Sequence, residues 1–181
     1  MAEGQGHTVG AMPRAHAAND FHGWVSELAS SSRRRGARIH LLLAGAPALP
    51  ALRRGLHHPK AMVRQQCVRL LDQLVDEESL TDLVSALDDD DPGVRARALH
   101  ALACDRCKQN ECRPAEALWV PRAIELLRHP DPDLRAAAID ALLKVAPRRP
   151  DIAAVLLAAA DREPDKGLRS KARRHVRFSA T

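Results

Sequence analysis

Three of the four cysteines fall in one short stretch, "CDRCKQNEC", spaced as Cys104-x2-Cys107-x4-Cys112, with His100 one helical turn earlier. Thiolates and imidazole are the ligands tetrahedral zinc prefers. At about 100° per residue from Val94, His100, Cys104 and Cys107 share one stripe off the core face, provided the helix runs that far. Cys112 would fold back from the loop beyond. The expected metal set is therefore Cys104, Cys107, Cys112 and His100 around Zn2+. Arg106, Lys108 and Arg113 would favour thiolate over thiol. Two other readings stand beside zinc: a reversible thiol switch, with Cys107 and Cys112 as its pair, or plain reduced cysteines in a connection. A thioredoxin-like enzyme is disfavoured, because that motif belongs at a strand-to-helix junction and no strand is legible here. Cys67 reads as a small buried hydrophobe.

The elements that must carry this stretch are set by internal repetition. "GLHHPKAMVRQQCVRLLDQL", "ALDDDDPGVRARALHALACD" and "LLRHPDPDLRAAAIDALLKV" share a leucine (Leu56, Leu87, Leu127) seven residues before an aliphatic-arginine pair (Val63-Arg64, Val94-Arg95, Leu134-Arg135). A degenerate copy, "DREPDKGLRSKARRHV", carries Leu168-Arg169. Proline and aspartate between leucine and pair end one helix and start the next. The second helix then has an apolar stripe, in the middle copy Val94, Ala98, Ala101 and Leu102. The step from Val63 to Val94 is 31 residues and that from Val94 to Leu134 is 40. The difference is an insertion that coincides with the cysteines, and insertions in repeat arrays map to loops that often carry function. Pro121 is expected to kink or break the helix "AEALWVPRAIELL".

Composition agrees with close-packed helices. The chain of 181 residues is 45% hydrophobic, mostly Ala, Leu and Val, with no Tyr and only Phe21, Trp24, Trp119 and Phe178 as aromatics. Arginine greatly outnumbers lysine, which points to a GC-rich bacterial genome. The net charge of +5 is mild; the more basic runs, "SSRRRGAR" and "LRSKARRHVR", read first as solvated helix faces and second as contacts for anionic partners. The N-terminus lacks the apolar segment of a signal peptide. No apolar run approaches the roughly 18 residues of a membrane span. The expected setting is the bacterial cytoplasm, where cysteines stay reduced.

"DDDDPGVRARALHAL" and "RHPDPDLRAAAIDAL" resemble HEAT repeats, in particular the short bacterial form also found in phycobilisome-lyase-like proteins. The resemblance implies an all-α fold, an α-solenoid of about four to five HEAT-type helical hairpins, whose units touch only their neighbours. The expected layout is a disordered tail over residues 1–18, then a solenoid over 19–178 with units at about 19–46, 47–76, 77–108, 113–147 and 150–177. Trp24 and Leu28 would cover its N-terminal end.

Arg64, Arg95, Arg135 and Arg169 recur once per unit and read as a structural ladder. Asp91, Asp131 and Asp165, each four residues before an arginine, are the expected ion-pair partners. Unit one has Lys60 at that place, which would leave Arg64 the freest member. The resemblance implies that partners bind across the second helices, where Arg69, His100 and Asp140 are equivalent. The expected function is a non-catalytic protein-binding scaffold. The alternatives are a HEAT-like enzyme or accessory subunit, lyase-like or DNA-repair-like, and a nucleic-acid binder acting through its basic ends. HEAT-type iron hydroxylases use His-Glu motifs, and this chain has no such dipeptide. A groove of the DNA-glycosylase kind would need aromatic residues that are scarce here.

Overall fold

The computed structural model describes residues 19–74, 76–104 and 114–176, with side chains to 173. The expected tail, Cys107 and Cys112 lie outside the described residues. Those residues form ten α-helices and three short 3-10 turns, without a strand among them. The helices are α1 (Phe21–Glu27), α2 (Arg34–Ala44), α3 (Leu49–Gly55), α4 (Ala61–Leu74), α5 (Glu77–Ser85), α6 (Pro92–Ala103), α7 (Glu116–Leu126), α8 (Pro132–Leu143), α9 (Pro150–Arg162) and α10 (Lys166–Val176).

They pair as five antiparallel hairpins, α1 with α2 through α9 with α10, and the second helices stack on one another in order. The stacking follows from the repeated apolar stripe. Val63, Cys67, Leu70 and Leu71 on α4 are fully buried, as are Val94, Ala98, Ala101 and Leu102 on α6 and Leu134, Ala138, Ala141 and Leu142 on α8, to within 2% exposure. Each buried leucine or valine contributes about 1.5–3 kcal/mol. The alanines in these stripes let neighbouring helix backbones approach closely.

Aspartates set the helix starts. Asp91 Oδ1 accepts from the Val94 N–H (2.9 Å), Asp131 Oδ1 from the Asp133 N–H (2.8 Å) and Asp165 Oδ1 from the Leu168 N–H (2.8 Å). Asp20 and Asp76 do the same for α1 and α5. Such caps are worth about 1 kcal/mol each. Proline follows directly at the start of α6 and α8, where its missing N–H costs nothing. Gly45, with φ of +65°, turns the chain out of α2.

Two expectations about helix continuity are corrected. Of the kink or break expected at Pro121, the break does not occur: α7 is continuous through it, because a proline removes only one intrahelical bond and the buried Trp119, Val120 and Ala123 hold the helix against its neighbours. Helix α6 stops at Ala103. Cys104 is its C-cap in an extended conformation, so the stripe does not run on toward Cys107.

Candidate functional site: the second-helix face and the end of α6

The ladder arginines have one geometry and a different partner from the one expected. Each reaches back to carbonyls of the preceding turn: Arg64 to His58 and Pro59, Arg95 to Asp89 and Asp90, Arg135 to His129 and Pro130, and Arg169 to Pro164, at 2.6–3.2 Å. In Arg64, Arg95 and Arg135 the outer edge of the guanidinium then meets the turn of the next hairpin. Arg64 donates through Nε and Nη2 to both oxygens of Asp89 at 2.7 Å. Arg135 does the same to Glu163 at 2.9 Å. Asp91, Asp131 and Asp165 do not hydrogen-bond to these arginines. Their carboxylates are occupied in capping, and Asp91 also accepts from Gln65 Nε2 at 2.9 Å. Arg64 is therefore among the most tightly held members, not the freest.

The acid in each clasp stands two residues before a capping position, and its side chain also accepts from that residue's N–H. Asp89 accepts from Asp91, and Glu163 from Asp165. His58 and His129 fill the same place, through Nδ1, toward the N–H groups of Lys60 and Asp131. The Arg135 hydrogen bonds hold the Glu163 carboxyl below the usual carboxylate range against the opposing effect of burial. For Asp89 burial pushes upward, and the bonds from Arg64 and the Asp91 N–H, with the charges of Arg64 and Arg95, overcome it.

The proposed partner residues Arg69, His100 and Asp140 are all exposed on the second helices. Asp140 is bridged to Lys171 of α10 at 2.5 Å. Arg38 on α2, which the sequence reading did not single out, lies beside Arg69 of α4 and Arg97 of α6. Burial and those two like charges lower its pKa, and its buried Nε has no hydrogen-bond partner. Along the same helix Ile39 and Leu43 are exposed, Leu43 by 82%. Arginines of three successive hairpins thus act on one another through their charges, on an array whose α2 also exposes aliphatic side chains.

Farther along this face His100 and Cys104 come together as expected, with an addition from the neighbouring hairpin. Asp72 of α4, His100 of α6 and Cys104 each offer one ligand atom, all within 4.8 Å of one another. His100 Nε2 stands 4.0 Å from Asp72 Oδ2; the Asp72 side chain is 9% exposed and that of His100 64%. Cys104 is buried, where the sequence had placed it off the core face. Asp72 was missed, although its register position gives it away: the equivalent residues of the next two units are Ala103 and Leu143. A carboxylate where sister repeats carry aliphatic residues is the signal.

A repeated hairpin of capped helices, a recurring arginine that reaches back to the preceding turn and a continuous second-helix face define a helical repeat protein. HEAT repeats match residues 25–103 and 91–177, and the chain belongs to the HEAT-repeat family. Among solved structures, the complex of CpcE and CpcF of phycocyanin lyase from Nostoc sp. PCC7120 has a chain of the same fold, with a TM-score of 0.69, 17% identity, and coverage of 91% of this chain and 100% of that one. No curated protein matches. No helix among the described residues is long and apolar enough to cross a membrane.

Proposed function

We propose that this chain is a non-catalytic scaffold that binds a protein partner across its second-helix face, taking an acidic, partly aliphatic segment of it. The observation that carries this reading is Arg38. Its Nε is buried without a hydrogen-bond partner and the charges of Arg69 and Arg97 oppose its own, with no acid paired to it among the described residues, so an anion there would relieve it. Ile39 and Leu43, exposed on the same helix, favour a protein over a nucleic acid. Arg69, His100 and Asp140 extend the surface along the array. The bacterial cytoplasm is the setting proposed for it. The reading includes a bound transition metal, zinc by ligand type, held at the end of α6 by His100 and Cys104, with Cys107 and Cys112 as further thiolates.

Affinity capture from the native cell tests the surface, with wild type beside Arg38→Glu/Arg69→Glu and Arg69→Ala/His100→Ala/Asp140→Ala. A specific protein retained by wild type and lost from both variants is expected. Equal retention by all three would overturn the surface, and nucleic acid in place of protein would favour the alternative binding role. The likeness to a phycocyanin lyase complex supports a second reading, an accessory subunit that works with another HEAT-type chain. Capture of such a chain would favour it.

A further inference from the structure

The geometry points to a divalent zinc site whose protein ligands are Asp72, His100 and Cys104, joining the second and third hairpins. It rests on the proposal that the end of α6 holds a metal, and it assigns the ligands differently. Three observations support it. The first is the donor set: one carboxylate, one imidazole and one thiol, each with a ligand atom within 4.8 Å of the others. A mixed oxygen, nitrogen and sulfur set suits zinc among the common divalent ions.

The second is preorganisation. Asp72 and Cys104 are buried and come from different hairpins, so the packing of α4 against α6 fixes their separation. His100 is the exposed member. Zinc bonds of about 2.0–2.3 Å in a tetrahedron require ligand atoms roughly 3.3–3.8 Å apart; His100 Nε2 stands 4.0 Å from Asp72 Oδ2, and a small rotation of the exposed imidazole brings it into that range. The third is electrostatic. The site sits at the C-terminal end of α6, where unpaired carbonyls favour a cation. With Asp72 ionised and Cys104 bound as thiolate, the two negative charges balance the ion. The Cys104 proton leaves to solvent on binding. Three protein ligands leave a fourth position open to water or to a further donor.

The experiment uses the full chain, freed of metal by chelator and then titrated with Co2+ as a spectroscopic substitute. The thiolate-to-cobalt charge-transfer band is read, followed by displacement with Zn2+. Wild type is expected to bind one ion per chain, with an intensity corresponding to one thiolate. Asp72→Asn is expected to weaken binding by roughly tenfold or more, since even outer-shell partners of a metal contribute roughly 10–100-fold. A three-thiolate intensity, with affinity unchanged in Asp72→Asn and lost in Cys107→Ser/Cys112→Ser, would overturn the Asp72 assignment while leaving a zinc site in place. No band in wild type would overturn both. The thiolate count is read on wild type, so it decides even if Asp72→Asn fails to fold.

Discussion

Arg95 and the Asp131 N–H compete for the single acceptor nitrogen of His129. Arg95 Nη2 lies 3.4 Å from His129 Nε2, while His129 Nδ1 accepts the Asp131 N–H at 3.1 Å. An imidazole offers at most one acceptor nitrogen, so His129 cannot accept from both the Asp131 N–H and Arg95. The flanking junctions place Asp89 and Glu163 at this position, each gripping its arginine through two hydrogen bonds.

The mismatch predicts a stabilising substitution. "HPD" at residues 129–131 and "EPD" at 163–165 differ only in the first residue. His129→Glu should let Arg95 form the clasp that Arg135 makes with Glu163. The expected gain is about 1–2 kcal/mol, in line with hydrogen bonds to charged groups, or a Tm rise of a few degrees at roughly 2–4 °C per kcal/mol. Calorimetry beside Arg95→Gln/His129→Glu checks it, since the gain should vanish without the guanidinium.

The Arg135–Glu163 pair predicts an acid-sensitive contribution. The two side chains are 11% and 4% exposed, and the Glu163 carboxyl is held below its ordinary range. A carboxyl depressed in the folded state contributes stability above its unfolded value, about 4.3. That stability is lost as pH falls through the folded value. Glu163→Gln should cost about 3 kcal/mol at neutral pH, because it leaves a buried guanidinium unpaired. The gap from wild type should close below about pH 4. Urea unfolding of both proteins across that range measures it.

Gly55 predicts a steric cost with a partial rescue. A Cβ on this residue would stand 2.5 Å from Cys67 Sγ and 2.9 Å from Val25 Cγ1. Gly55→Ala should destabilise by about 1–3 kcal/mol, as overpacking does. Gly55→Ala/Cys67→Ala should recover part of that loss, with a non-additive coupling that a double-mutant cycle reads. The same enclosure pushes the Cys67 thiol up to about 12, so Cys67 should resist alkylation in the native protein and react only on unfolding.

The repeated stripe was fully legible in the sequence. Val94, Ala98, Ala101 and Leu102 are read directly from the helical period, and the burial of their counterparts on α4 and α8 follows from the repeat. The ladder arginines were legible as a set, but their partners were not. An aspartate four residues before an arginine can pair with it or cap the helix. Here the unpaired N–H groups of the helix start claim the carboxylate, and the arginine is left for an acid 25 or 28 residues onward. No local spacing rule reaches that far; comparison of repeats does, since Asp89, His129 and Glu163 all stand two residues before a cap. Comparison of repeats would also have exposed Asp72. Arg38 could not be found this way, because its surroundings are assembled from three hairpins.

The two clasps point one way, Arg64 and Arg135 each holding the turn of the hairpin that follows it. In a linear array with only nearest-neighbour coupling, local opening starts at the weakest link. The link between the third and fourth hairpins lacks a carboxylate in its clasp, and it is also where the chain carries its insertion. That link is carried instead by the packing of α6 against α8 and by the ion pair between Arg122 and Asp88. A partner spanning Arg69 and Asp140 would bridge that link, and so would lie across the one junction between ladder arginines that no acid clasps among the described residues.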